Sequence, residues 1–189
     1  ILFYGIINLS LLTCLTYYCT YVRGSADDAT VIEAVYLIAS LGTTTLVPMI
    51  DKKLGRKKTM VLGGVFFALG KVWFIINPFS IAALYTNAAT TGIAIAISFV
   101  MFNTNRNNLS DLIEWREGRR YDGMIGTADN LSTKLGEAIA AKLMTAALAA
   151  NGFDAALTEL PDSAINAINA MLGWVPAIFG VFIIITVLF

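Results

Sequence analysis

The stretch Asp111-Leu-Ile-Glu-Trp-Arg-Glu-Gly-Arg-Arg-Tyr-Asp-Gly123 separates two apolar runs, and the run after it decides the fold. That run carries Lys134, about eleven residues past Gly123. At about 1.5 Å of rise per residue, Lys134 would sit roughly 16 Å into a hydrocarbon layer about 30 Å thick. A cation near the bilayer midplane costs about 3 kcal/mol or more. Such a residue faces a partner or a wet cavity, so Lys134 is a functional candidate.

The totals agree with a membrane setting. The chain of 189 residues is 57% hydrophobic and 14% charged, with a mean hydropathy of +0.72. Soluble domains are about half apolar and about a quarter charged. Net charge is zero, so nothing points to nucleic acid. There is no histidine, and Cys14 and Cys19 fit no zinc or redox spacing. Both read as small residues of a membrane helix. The chain starts and ends inside apolar runs, and no charged segment precedes the first, so it does not read as a signal peptide. It reads as a piece of a longer polypeptide.

Six apolar segments are expected as helices, at approximately 1–22, 29–50, 59–77, 80–104, 122–150 and 164–189. Pro78, in the turn Asn77-Pro-Phe-Ser80, separates the third from the fourth. Gly, Ala, Ser and Thr recur in all six, as close packing of membrane helices favours. The fold class expected is an all-α membrane protein with six transmembrane helices. A soluble six-helix bundle with basic turns at one end is the weaker alternative.

Connector charge predicts orientation. The connectors after the second and fourth segments hold Lys52, Lys53, Arg56, Lys57, Lys58, Arg106, Arg116, Arg119 and Arg120. The other three hold Arg23 together with Asp27, Asp28, Asp154, Glu159 and Asp162. Nine basic residues against one place the first pair of connectors in the cytoplasm. Six spans then put both ends of the chain there too.

On the fifth segment, Thr127, Asn130, Lys134, Glu137 and Ala141 follow 3-4-3-4 spacing and share one face. Asp129 and Thr133 flank it. A face this polar must line a cavity or pack on polar neighbours. Lys134 and Glu137 can pair, either as a packing lock or as part of a substrate or coupling-ion site. Lys142 and Lys71 lie toward segment ends and are expected to snorkel. Two further stripes point the same way: Ser10, Thr13, Tyr17 and Tyr21 on the first segment, with Asn8 elsewhere on it, and Asn87, Thr91, Ala94 and Ser98 on the fourth, with Tyr85 nearby. Hydroxyls, amides and rings suit a sugar. The same residues can instead bond their own backbone or mark an interface. Asp51 and the basic turn Lys53-Leu-Gly-Arg-Lys-Lys58 are either topology charge or a gating latch at helix ends.

Asp111, Glu114-Trp115, Gly118-Arg119-Arg120 and Asp122-Gly123, continuing into Lys134-Leu135-Gly136, resemble the connector motif of the glycoside–pentoside–hexuronide:cation symporters. These are the melibiose-permease-like branch of the major facilitator superfamily. The Lys53–Lys58 turn resembles the superfamily's cytoplasmic signature, with Asp51 one residue further out than usual and Val47 where a glycine is expected. The resemblance covers essentially the whole chain and implies the C-terminal half of a major-facilitator-type transporter, helices seven to twelve. It implies alternating access around a midplane site in the plasma (inner) membrane.

It also implies a sugar and cation role for the lysine on helix eleven, which Lys134 matches. The coupling Na⁺ or H⁺ would be held mainly by an N-terminal half of the same polypeptide, so this chain is not expected to transport alone. No other cofactor and no metal ligand set are expected. The substrate-binding candidates are Lys134, Asn130, Thr127, Thr133, Asp129, Glu137, Tyr17 and Asn87. The gating candidates are Asp111, Glu114, Arg119 and Arg120, whose pairs would bridge the two halves, and Arg56, in the basic turn. The partners expected are a small sugar, membrane lipid and that N-terminal half. The function expected is import of a glycoside, pentoside or hexuronide with Na⁺ or H⁺. Alternatives are a lipid or amphiphile transporter of the same fold, or a non-transporting assembly or sensory module. No nucleophile–base or paired-carboxylate constellation supports an enzyme.

Overall fold

The computed structural model describes residues 2–153 and 161–188. Asp154 and Glu159, counted above as connector charge, lie outside them. Among the described residues the chain forms α1 (Leu2–Tyr17), a π-helical turn (Tyr18–Val22), α2 (Ala26–Leu54), α3 (Arg56–Ile76), α4 (Ile81–Glu117), α5 (Asp122–Ala150), α6 (Asp162–Leu172) and α7 (Trp174–Leu188).

The helix ends follow local chemistry. Gly55 at φ 78° closes α2 and opens α3, and Gly118 at φ 68° stops α4, its N–H bonded to the Glu114 carbonyl. Both conformations are left-handed and favour glycine. The fifth segment falls on the expected 122–150. The others differ in their bounds. The second runs longer than 29–50, as α2 over Ala26–Leu54. The fourth is expected to end near Thr104, but α4 runs on to Glu117 because no Gly or Pro interrupts Asn105–Glu117. The first is expected as one helix, and its last turn widens to a π-helix. The sixth is expected as one helix over 164–189, and its helical run is interrupted at one residue, Gly173, three residues before Pro176.

Four helical stretches are long and apolar enough to cross a membrane: Asp27–Leu54, Arg56–Ile76, Ile81–Glu117 and Asp162–Phe182. The α1 helix is short, and α5 is long but carries Asp129, Lys134, Glu137 and Lys142.

Packing is reciprocal between the first three helices and the rest. α4 packs on α2 and α3; α1 packs on α5, α6 and α7; and α3 meets α7. The main apolar core gathers Cys14, Tyr18, Cys19, Phe74, Leu84, Ile168 and Leu172 from both sets. The cysteines pack as small buried residues, Cys14 Sγ lying 3.5 Å from Met144 Sδ. Tyr18 donates a hydrogen bond to the Pro78 carbonyl, tying α1 to the α3–α4 turn.

Lys71 does not snorkel. Its side chain is wholly buried, and Nζ donates to the Leu172 carbonyl at 3.1 Å. A backbone acceptor in the interior draws the ammonium inward, a possibility that spacing from the helix end does not reveal. Lys142 stands exposed on α5.

Candidate functional site

The α5 helix places its polar residues by the face it buries. Gly136, Ala140, Met144 and Leu148 recur every four residues and are buried. This is the stripe laid against α1, and its small residues let the two backbones approach. The approach is closest at Gly5, where a Cβ would stand 2.6 Å from the Thr133 carbonyl oxygen. With that stripe inward, 3.6-residue periodicity turns Thr127, Asn130 and Lys134 outward, and all three are exposed.

Lys134 Nζ bonds Glu137 Oε2 at 2.7 Å; the lysine side chain is 75% exposed and the glutamate 29%. Two of the three ammonium N–H groups are thus left for another acceptor. Thr127 and Thr133 donate to the Gly123 and Asp129 carbonyls, so their hydroxyl oxygens still accept.

Between α4 and α5, which touch only sparsely, lies a cleft of about 210 Å³ lined by Phe99, Phe102, Asn103, Arg106, Asp129, Asn130 and Thr133. Arg106 faces Asp129 across it, Nη1 to Oδ2 3.6 Å. The α4 contribution, Phe99, Phe102, Asn103 and Arg106, was not anticipated. Its i, i+3, i+4, i+7 spacing is a legible helical face, but ending the helix near Thr104 left Arg106 in the connector.

Two other candidates lie away from this cleft. Asn87 is 1% exposed inside the bundle, its Oδ1 accepting from Thr91 Oγ1 at 3.4 Å. Tyr17 stacks on Tyr21 with centroids 5.7 Å apart and meets Phe153 edge-on at 5.5 Å, beyond the far end of α5. That contact is more than about 20 Å along α5 from Lys134. The side chain of Ser10 is outside those described.

The gating candidates separate as well. Arg120 is the hub of the α4–α5 connector, 2.9 Å from Asp111, 3.5 Å from Glu114 and 3.1 Å from Asp122. Ser110, buried on α4, donates to Asp122 and fastens the start of α5 to the end of α4. The acids expected to bridge to another half are therefore paired within the connector. Among the described residues Arg119 and Arg56 are exposed and form no ion pair. Asp51 Oδ1, beside the basic turn, is buried without a hydrogen-bond partner. No cluster of three or more metal-ligating side chains occurs among the described residues.

Residues 4–189 match the profile of the family described as MFS/sugar transport protein. The chain belongs to that family. It is thus a multi-pass membrane protein of a transporter family and not an enzyme.

The chain is 25% identical over 167 residues to an uncharacterized symporter of Synechocystis sp., covering 82% of this chain and 29% of that protein. It is 25% identical over 171 residues to the isoprimeverose transporter of Lactiplantibacillus pentosus, covering 87% of this chain and 34% of that protein. It is 28% identical over 182 residues to an uncharacterized 29.9 kDa protein of Pseudescherichia vulneris, covering 90% and 63%. The chain spans about a third of the length of the first two relatives. In this MFS/sugar transport chain, the connector hub and the α4–α5 cleft lie within the matched region.

Proposed function

We propose that this chain is the C-terminal, six-span half of a secondary transporter that imports a glycoside, pentoside or hexuronide together with Na⁺ or H⁺. The observation that carries the reading is the exposed charged face of α5: Lys134 with Glu137, and Asp129 with Arg106 across the cleft. In a helix otherwise built for hydrocarbon, such a face is stable only beside water, substrate or a complementary surface.

The chemistry suits a sugar. The Asn130 amide, the Thr127 and Thr133 oxygens and the Lys134 ammonium present donors and acceptors for hydroxyls, and the exposed Phe99 ring offers a C–H stacking surface. The two ion pairs hold these groups in position. An N-terminal half would face this side of α5 and contribute the main coupling-cation ligands, and the relatives' greater length leaves room for it. Asn87 acts by fixing α4, and Tyr17 belongs to the opposite mouth of the path.

The two basic connectors put their end of the bundle in the cytoplasm of a plasma (inner) membrane protein, with both chain ends on that side. There, Asp111, Glu114 and Arg120 keep α4 and α5 together, while Arg119 and Arg56 reach toward the other half and break those contacts as the cytoplasmic side opens.

The test is uptake of a labelled glycoside and hexuronide panel into proteoliposomes holding the full-length transporter that contains this chain, with and without an imposed Na⁺ or H⁺ gradient. Gradient-driven accumulation, lost in Lys134→Ala, is the expected result. No uptake of any sugar by folded protein overturns the reading.

A further inference from the structure

Lys71 has no exposed surface, and among the described residues no carboxylate pairs with it. Its Nζ lies 3.1 Å from the Leu172 carbonyl and 5.3 Å from the centroid of the Phe67 ring, with the Cys14 thiol close enough to interact. A buried cation held by one backbone carbonyl and a ring face calls for an explanation.

The explanation lies four residues beyond that carbonyl. In an unbroken helix the Leu172 oxygen would accept from the N–H of residue 176. Residue 176 is proline, which has no N–H and whose ring presses on the carbonyl four residues back. Bonds on either side persist: Gly173 N–H to Asn169 O at 2.9 Å and Ala177 N–H to Gly173 O at 3.2 Å. The break is pressed onto α3 one turn beyond Lys71, where a Cβ on Gly173 would be 3.0 Å from Ile75 and 3.3 Å from Phe74. An orphaned carbonyl at this depth has no water to turn to.

We infer that Lys71 is the internal cap of the last membrane span. Its ammonium supplies the donor that Pro176 removes and so fixes the joint between α6 and α7. The two segments pack differently: α6 lies on α1 and its π-helical turn, α7 on α3 and α1. The joint lets α6 follow the outer end of α1 while α7 stays seated on α3, and Lys71 limits how far the joint spreads. The inference does not depend on which substrate the protein carries.

The test is a double-mutant cycle of Lys71→Met and Pro176→Ala in the full-length transporter. It is read by Tm and by the distance between spin labels at Asn166→Cys and Phe182→Cys, with Cys14 and Cys19 changed to Ala. Lys71→Met is expected to lower Tm by about 5 °C or more and to broaden the distance distribution. In the Pro176→Ala background, which restores the missing N–H, the same change should lower Tm by less than half as much and leave the distribution narrow. If Lys71→Met alone does not fold, recovery of folded protein in the double variant supports the inference, and failure to recover overturns it. Equal Tm shifts in both backgrounds, or an unbroadened distribution in folded Lys71→Met, also overturn it. No readout involves uptake, so failure of the sugar reading is seen separately.

Discussion

Gly5 of α1 and Thr133 of α5 approach backbone to backbone: a Cβ on Gly5 would come within 2.6 Å of the Thr133 carbonyl oxygen. Thr133 also lines the α4–α5 cleft, so this contact sets the depth of the site from behind. Backbone cannot yield as a flexible side chain tip does, so any larger residue must separate the helices. Gly5→Val is expected to cost about 1–3 kcal/mol and to lower Tm of the full-length transporter, by roughly 2–4 °C or less per kcal/mol. Gly5→Ala should do less. An unchanged Tm for Gly5→Val would mean α1 and α5 are not this close.

Lys134 is largely exposed in this chain, and its described partner is Glu137 on the same helix. Removing it should therefore leave the fold alone and affect the ligand. Lys134→Ala is expected to keep Tm within about 2 °C while weakening sugar binding about 10–100-fold, the range for a lost charged hydrogen bond. Calorimetric titration of purified protein checks it. A large fall in Tm with unchanged affinity would make the lysine a packing lock.

Arg106 and Asp129 face each other across the cleft at 3.6 Å, a separation that gives a Coulombic pair without a close hydrogen bond. Arg106→Ala and Asp129→Asn should each reduce uptake about 10-fold or more. The exchanged pair, Arg106→Asp with Asp129→Arg, should recover part of it. Uptake assays with Tm controls decide: two single changes without effect would remove the pair from the transport path.

Arg119 and Arg120 are adjacent but differ in surroundings. Arg120 is engaged by Asp111, Glu114 and Asp122, and Arg119 stands exposed. Arg119→Ala is expected to shift the access state more than substrate affinity, because an inter-half contact biases a two-state balance. Arg120→Ala should loosen the connector itself, seen as faster hydrogen exchange over residues 111–123. Equal affinity loss in both access states, without altered thiol accessibility, would sink the Arg119 expectation.

Several features were legible because they are local. Apolar run length predicts helices that can cross a membrane, and glycines at the turns mark their ends. The polar face of α5 follows from 3.6-residue periodicity alone, and Lys134 with Glu137 behaves as their three-residue spacing implies. Apolar run length alone places the end of α4 near Thr104, short of its stop at Glu117. Charged residues extend an exposed helix readily, and Gly118 provides the stop.

The sequence by itself determined a helical membrane chain, the polar stripe of α5 and the charge asymmetry between the two ends, since each depends on residues a few positions apart. Only the tertiary structure decided which side of α4 meets the cleft. Both the Asn87–Thr91 stripe and the Phe99–Arg106 stripe carry polar residues at helical spacing, and the packing of α2 and α3 buries the first while leaving the second open. Only the tertiary structure, too, turned Lys71 inward. The acceptor that holds it lies 101 residues away, on a carbonyl freed by a proline in another helix, and no local pattern around Lys71 encodes that meeting.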